Sequence, residues 1–507
     1  MITTPENFDG TTEISADVII IGSGCGGAIT AAKLSAQGYS VVILEEGEYV
    51  TKEDFNQNPR ELVPRLYRQN ASLGTDDQSL RILQGKTFGG STTINWMTSL
   101  RTPDWVLKEW ADRFGLEEYL PENMQSHFDT VEKRLNVHKV PDYAVSPANR
   151  IILEGAKALK MHHDILPNNS KDCIGCGGCG LGCPYDAKQD MRLTYLKDAI
   201  DQGTHAYTST RAYRIVTDAK DRHTVKATMK GQTLRFNAKR VVVSGSAIMS
   251  PLLLQESGLT KGGQVGKNLS VHPVTATIGL FESDIHPTYG IPQSATAEYF
   301  DETGYGYWLE SPDLEVFLAG VNYPAIGSER REGLKKLYKS SAIIVLVRDG
   351  ADGKTNGEVR WRRGINTQNG RITFKKVPSI RYRLSPTDLK HMRMGLEAAV
   401  RIMFKTGAKE VRPFVNPSLK LTNIQEASII KEIPFQPNRV SLFSAHPLGT
   451  CRMAKQNGVV DETGQMHHYK GVYVLDGSIL PTAVGVNPMI SILATVSRAI
   501  ELGNLDL

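Results

Sequence analysis

DVIIIGSGCGGAITAAKLSAQGYSVVILEEG, residues 17 to 47, decides the fold. A β-branched apolar run leads into a glycine turn, then a segment with apolar positions at helical spacing, then a second apolar run that ends in acid. That succession predicts strand, turn, helix and strand. Gly22, Gly24 and Gly27 fit G-x-G-x-x-G. The first permits the tight turn, the second lets backbone approach a pyrophosphate, and the third lets helix and strand pack closely. A phosphate would sit at the positive N-terminal end of the helix. Glu45 closes the second strand, where a carboxylate accepts hydrogen bonds from ribose hydroxyls. The unit predicts a Rossmann-like α/β domain for a dinucleotide without saying which one.

Outward from this stretch, a chain of 507 residues has room for two or three domains. With 40% hydrophobic and 22% charged residues and no fixed-period repeat, it reads as globular. A net charge of +5 is spread along the chain, and no stretch clusters Lys and Arg with aromatics, so no nucleic-acid partner is expected. The longest apolar runs, such as residues 343–347, fall far short of the ~20 residues that span a bilayer. The opening residues lack a cationic segment followed by an apolar one, and six cysteines do not form an evenly spaced framework. The expectation is a cytoplasmic protein without a transmembrane segment, peripheral contact with a membrane staying open.

GKTFGGSTTINW, residues 85 to 96, is a second glycine-rich loop. Gly85, Gly89, Gly90, Ser91 and Asn95 suit it to lie against a phosphate or a flavin through backbone N–H groups. RVVVSGSAIMSPLLLQESGL, residues 240 to 259, reads as strand, small-residue turn and helix, with Pro251 early and Gly258 as the stop. Residues 471 to 503 give a strand, Asp476, an irregular Gly/Pro loop and a helix starting near Pro488. In the middle, the runs from 343 to 384 predict several antiparallel strands, and residues 385 to 408 an amphipathic helix capped at Ser385 or Thr387.

Taken together, these motifs resemble the glucose-methanol-choline oxidoreductases, FAD enzymes that oxidise alcohols, from about residue 15 to the C-terminus. Phe88 and Thr260 depart from the usual pattern at positions away from the expected chemistry. The resemblance implies a discontinuous FAD-binding domain, 1–280 and 436–507, with a Cys-rich insertion at about 165–190, and an antiparallel-sheet substrate domain, 281–435. The fold class is thus α/β, α+β overall. Gly22, Gly24, Gly27, Glu45, Gly85, Gly89, Gly90, Ser91, Asn95, Asp476, Gly477 and Pro488 are the implied FAD contacts. His446, in SLFSAHPLGTCRM, would read as structural on its own; the resemblance puts it beside the flavin ring with Asn487 of GVNPM as its partner. An imidazole kept neutral by burial suits removal of a hydroxyl proton as hydride leaves for flavin N5, and an amide holds the oxygen. His272 and Trp96 read equally as cavity or core residues.

CIGCGGCGLGCPYDAK, residues 173 to 188, remains. Cys173, Cys176, Cys179 and Cys183 before a proline reproduce the bacterial ferredoxin spacing, C-x2-C-x2-C-x3-C-P. An iron–sulfur cluster, a structural zinc or disulfide pair, and free thiols all stay open. This block, with EWADRFGL and the helix ending KTGAKEV, resembles the long-chain fatty alcohol oxidase branch. The implied activity is oxidation of a hydrophobic primary alcohol to the aldehyde with dioxygen as acceptor. The rival is a dehydrogenase that passes electrons through a cysteine-bound cluster to a quinone, cytochrome or partner protein. A rival of another class is a non-enzymatic flavin and iron–sulfur electron-transfer protein.

Overall fold

The computed structural model describes residues 1–314, 319–320, 322–353, 357–368, 371–503 and 505. At its centre Val18–Ile21 forms a strand, and Cys25–Ala36 the helix that follows the glycine turn. Val18, Ile19 and Ile20 have no exposed surface, as a strand covered on both faces requires. Six parallel strands build the sheet in the order Ile2–Thr3, His205–Tyr207, Val41–Leu44, Val18–Ile21, Arg240–Val243 and Val472–Val474. Val472–Val474 returns from near the C-terminus to pair with Arg240–Val243, and the helix Met489–Gly503 packs on Cys25–Ala36. The chain path through this sheet is therefore discontinuous.

An eight-stranded sheet stands beside it, drawing on Leu80–Ile82, Leu442–Ser444, Val274–Leu280, Ser340–Val347, Gly306–Glu310, Ala295–Phe300, His162–Ile165 and Glu410–Pro413. Its membership does not follow the expected division at 281 and 435. Val274–Leu280 pairs with both Ser340–Val347 and Glu410–Pro413, so a strand before residue 281 is central to the second sheet. All eight residues of Ser340–Val347 are buried. Alternate side chains explain it: Ile343, Val345 and Val347 meet the helix Pro386–Lys405, and Ile344 and Leu346 turn the other way, into a cavity. Ser385 caps that helix as expected, its Oγ accepting from the Asp388 amide at 3.1 Å and its own amide donating to the Asp388 carboxylate at 2.9 Å. Among the described residues no helix is long and apolar enough to cross a membrane.

Candidate active site and cofactor trough

The two glycine loops, far apart in sequence, lie against each other. A Cβ on Gly90 would come within 2.8 Å of Gly24 Cα, and the Gly89 amide donates to Ser23 Oγ at 3.0 Å. Gly22, with φ of 106°, would drive a Cβ to 2.2 Å from the Ser244 carbonyl oxygen, and Gly27 to 2.0 Å from Gly22 O. Gly24 differs: a Cβ there meets nothing within 4 Å. It faces a cavity of about 380 Å3 lined also by Gly22, Glu45, Gly85, Gly90 and Asp476. A second cavity, of about 240 Å3, shares Cys25, Gln84, Ser91, Ser246, Gly477 and Ile492 with the first, so the two form one continuous trough. Gly27 and Gly89 line neither and serve the packing beneath. Asn95 and Pro488 line the second cavity.

His446 and Asn487 line that second cavity together, among apolar walls from Ile94, Met97, Leu181, Ile344, Leu346 and Phe443. Ser444 Oγ fixes the His446 backbone by accepting from its amide at 3.0 Å. Behind it His272, with no exposed surface, has Nε2 2.9 Å from the Gly485 amide nitrogen. A backbone N–H only donates, so His272 Nε2 accepts. Burial depresses both imidazoles, His272 well below its usual range and His446 to about 4, so each ring carries one proton near neutrality. The His272 proton therefore sits on Nδ1 and points at His446 Nδ1, 3.2 Å away. His446 accepts there and bears its own proton on Nε2. Its nitrogen toward the cavity is an N–H donor, whereas the sequence suggested a base with a free lone pair.

Asn487 is 8% exposed, and its Oδ1 has no hydrogen-bond partner among the described residues. Near its side chain lies the carboxyl of Glu310, a fully buried residue missed in the sequence. Trp308 Nε1 donates to Glu310 Oε1 at 3.1 Å and Gln293 Nε2 to Oε2 at 2.7 Å. Burial pushes the Glu310 carboxyl up to about 8 against the pull of the Asn487 and Trp308 donors. The signal in the sequence was a lone acid closing the apolar strand GYWLE.

Family models described as GMC oxidoreductase match residues 63–274 and 355–495, and one described as an NAD(P)-binding Rossmann-like domain matches residues 20–70. An uncharacterized GMC-type oxidoreductase of Mycobacterium tuberculosis is 31% identical, over 96% of this chain and 75% of its own. The chain belongs to the GMC oxidoreductase family. A long-chain-alcohol oxidase of Arabidopsis thaliana is 29% identical over 96% of this chain, which spans 66% of that relative's length. Pyridoxine 4-oxidase from Mesorbium loti has the same fold, with a TM-score of 0.71 at 18% identity over 96% of this chain and 99% of that one. So does formate oxidase from Aspergillus oryzae, at 0.73 and 16% over 97% and 98%.

The cofactor of this GMC oxidoreductase is FAD, and the trough fits it. Gly24 leaves backbone open to a pyrophosphate at the start of the helix Cys25–Ala36. Gln84 Oε1 and Asn95 Oδ1 are buried along the trough without partners among the described residues, as acceptors reserved for a ligand would be. Glu45 and Asp476 hold the loops: Glu45 accepts from Ser23 N, Ser23 Oγ and Gly47 N, and Asp476 from Ser246 N, Ser250 Oγ and Ser478 N. Cys25 lines both cavities, and burial lifts its thiol to about 12, which leaves it unreactive.

Cys173, Cys176, Cys179 and Cys183 line one small cavity, and all are free thiols rather than a disulfide pair. Among the described residues no group of three or more His, Cys, Asp or Glu side chains is placed to hold a metal ion, so the geometry gives no support to an iron–sulfur or zinc centre. The loop is nevertheless built into the active site. Met97, in the left-handed region at φ 68°, walls both this cavity and the one holding His446. Lys188, fully buried, donates to Cys179 O at 2.8 Å, Thr93 O at 2.7 Å and Asn95 O at 2.9 Å. The last residue of the quoted cysteine stretch thus ties it to the loop 85–96.

Proposed function

We propose that this GMC oxidoreductase oxidises a hydrophobic primary alcohol to the aldehyde, with dioxygen as final acceptor. One observation carries the reading: an imidazole N–H and an unpartnered carboxamide oxygen share an apolar cavity continuous with the glycine-lined trough. Bound FAD would supply the acceptor for the carbinol hydride at N5 and for the hydroxyl proton, so that alcohol and oxidised flavin give aldehyde and two-electron-reduced flavin, which dioxygen would reoxidise with release of hydrogen peroxide. His446 Nε2–H meets the reacting oxygen and stabilises the negative charge that grows as the O–H bond weakens. Asn487 Oδ1 receives the hydroxyl hydrogen bond and orients the carbinol. The apolar walls hold the alkyl chain and exclude water, which strengthens both polar contacts. Two relatives named long-chain-alcohol oxidases, 29% and 30% identical, favour a long aliphatic chain.

The test is anaerobic bleaching of the flavin absorbance by short to long primary alcohols, followed by peroxide measurement on admission of air. A holoenzyme that no primary alcohol bleaches sinks the reading.

A further inference from the structure

His272 reaches His446 from a strained backbone, at φ 45°, in the left-handed region that a residue with a Cβ rarely adopts. Such a conformation persists only where the surroundings hold it. Asp349, buried beside it, supplies the hold. The His272 amide donates to Asp349 Oδ1 at 3.0 Å, and the Val271 amide straddles both carboxylate oxygens at 3.3 and 3.1 Å. Tyr382 Oη donates to Oδ2 at 2.8 Å. All three partners are donors, which suits an ionised carboxylate, and burial with Asp388 nearby raises it only to about 6, so it is charged at neutral pH. Arg348, the preceding residue, donates through Nε to Ala483 O at 2.9 Å. Ala483 lies two residues before Gly485, whose amide donates to His272 Nε2 at 2.9 Å. The consecutive pair Arg348 and Asp349 thus grips His272 twice, at its backbone and at the loop its ring meets.

We propose that Asp349 is a positioning residue for the active site: by holding the turn at Val271 and His272 it aims the His272 ring at His446 and so fixes the His446 proton on Nε2, facing the cavity. Without the carboxylate, two buried amides lose their acceptor, and the backbone gains by returning His272 to negative φ. That rotation carries the ring off the line between Gly485 N and His446 Nδ1. His446 Nδ1 then loses its donor, and its proton is free to sit on either nitrogen. A ring protonated on Nδ1 turns a lone pair to the cavity and cannot donate to the reacting oxygen. The consequence for turnover rests on reading the cavity as an alcohol site; the consequence for the His446 proton does not.

The experiment compares FAD-loaded Asp349→Ala and Asp349→Asn with the wild type. Alanine removes both acceptor oxygens, whereas asparagine keeps one for the two amides and turns its Nδ2–H toward the Tyr382 oxygen. The first readout is nitrogen NMR of holoenzyme isotopically labelled at histidine, in which a ring nitrogen with a proton is distinct from one without; His446→Gln identifies the His446 signals. In the wild type and in Asp349→Asn, His446 is expected as a single tautomer protonated on Nε2, and in Asp349→Ala as a mixture of both. The second readout is anaerobic flavin reduction by decanol. Asp349→Ala is expected to lower the limiting rate about tenfold to a hundredfold with half-saturation moved by less than about twofold, and Asp349→Asn to stay within about threefold of the wild type. In a His272→Ala background, Asp349→Ala should slow reduction no further. A residue that merely stabilised the fold would lower the melting temperature in Asp349→Ala and leave the His446 signals unmoved. A wild-type His446 protonated on Nδ1, unmoved signals in Asp349→Ala, an Asp349→Asn loss equal to that of Asp349→Ala, or a full Asp349→Ala loss that persists in His272→Ala overturns the proposal. If decanol does not reduce the wild-type flavin but the signals mix in Asp349→Ala, the positioning role stands and the alcohol reading falls. Should Asp349→Ala fail to fold, Asp349→Ser replaces it: one hydroxyl cannot hold both amides and Tyr382, so the His446 signals should mix there too, and unmoved signals overturn the proposal.

Discussion

His446 meets the cavity through a nitrogen whose proton is placed by a backbone amide two rings away, at Gly485. His446→Gln keeps an N–H donor and removes the imidazole; His446→Ala removes both. If donation is the role, anaerobic flavin reduction by alcohol falls about 10²- to 10³-fold in His446→Ala and far less in His446→Gln. Equal losses would restore the base. Acid stability follows from the same burial. Unfolded histidine titrates near pH 6.5, whereas His446 is held at about 4 and burial also holds His272 well below its usual range. Between those values the unfolded chain binds more protons than the native one, so stability rises with pH there and is lost as pH falls from about 6.5 toward 4. Thermal melts across that range should show a shallower acid loss in His446→Gln. The pair His446 and Asn487 was legible because each sits in a motif. The polarity of His446 was not, because it depends on Gly485 and His272, which only the folded chain brings to it.

At the scale of elements, the glycine turn separates two requirements that the motif writes alike. Gly24 has open space where a Cβ would go, but a Cβ on Gly26 would come within 1.8 Å of Leu475 O. Gly24→Ala is therefore expected to fold with an unchanged far-UV circular dichroism spectrum and to lose flavin on gel filtration, while Gly26→Ala loses thermal stability even without flavin. Gly26 escaped the sequence pattern because its neighbour, the end of strand Val472–Val474, arrives from the far end of the chain. Lys188 is a similar case. Its ammonium is buried at some cost, since burial lowers its pKa, and three carbonyls compensate. Lys188→Met leaves those carbonyls without their donor and is expected to destabilise the protein by about 2–4 kcal/mol, read by denaturant unfolding of the holoenzyme. A loss equal to that of an exposed lysine such as Lys376 would show that the cysteine loop is not tied to the loop 85–96.

The whole molecule joins two sheets whose membership the linear order only half disclosed. The parallel sheet was legible from residues 17 to 47 and from the resemblance that brought Val472–Val474 back to it. The antiparallel sheet was legible as strands but not as a boundary, because hydrogen bonding places Val274–Leu280 between the later strands Ser340–Val347 and Glu410–Pro413. That placement makes the trough: one face of Ser340–Val347 packs on the helix Pro386–Lys405, and the other gives Ile344 and Leu346 to the cavity wall facing Leu181 and Ile94. An alkyl chain entering there leaves water one methylene at a time, each contributing about 0.8 kcal/mol, or roughly fourfold in kcat/KM. The expected profile over primary alcohols is a rise of that slope per carbon until the cavity is full, then a plateau. Leu346→Trp fills part of the space from a strand position whose backbone pairs on both sides, with Val274 and Trp308, and so should stay in place. In that variant the break should move to a shorter alcohol, with the flavin spectrum and the initial slope unchanged. A slope that is flat in the wild type, or a break that does not move in Leu346→Trp, would mean that the alkyl chain lies elsewhere than along this wall.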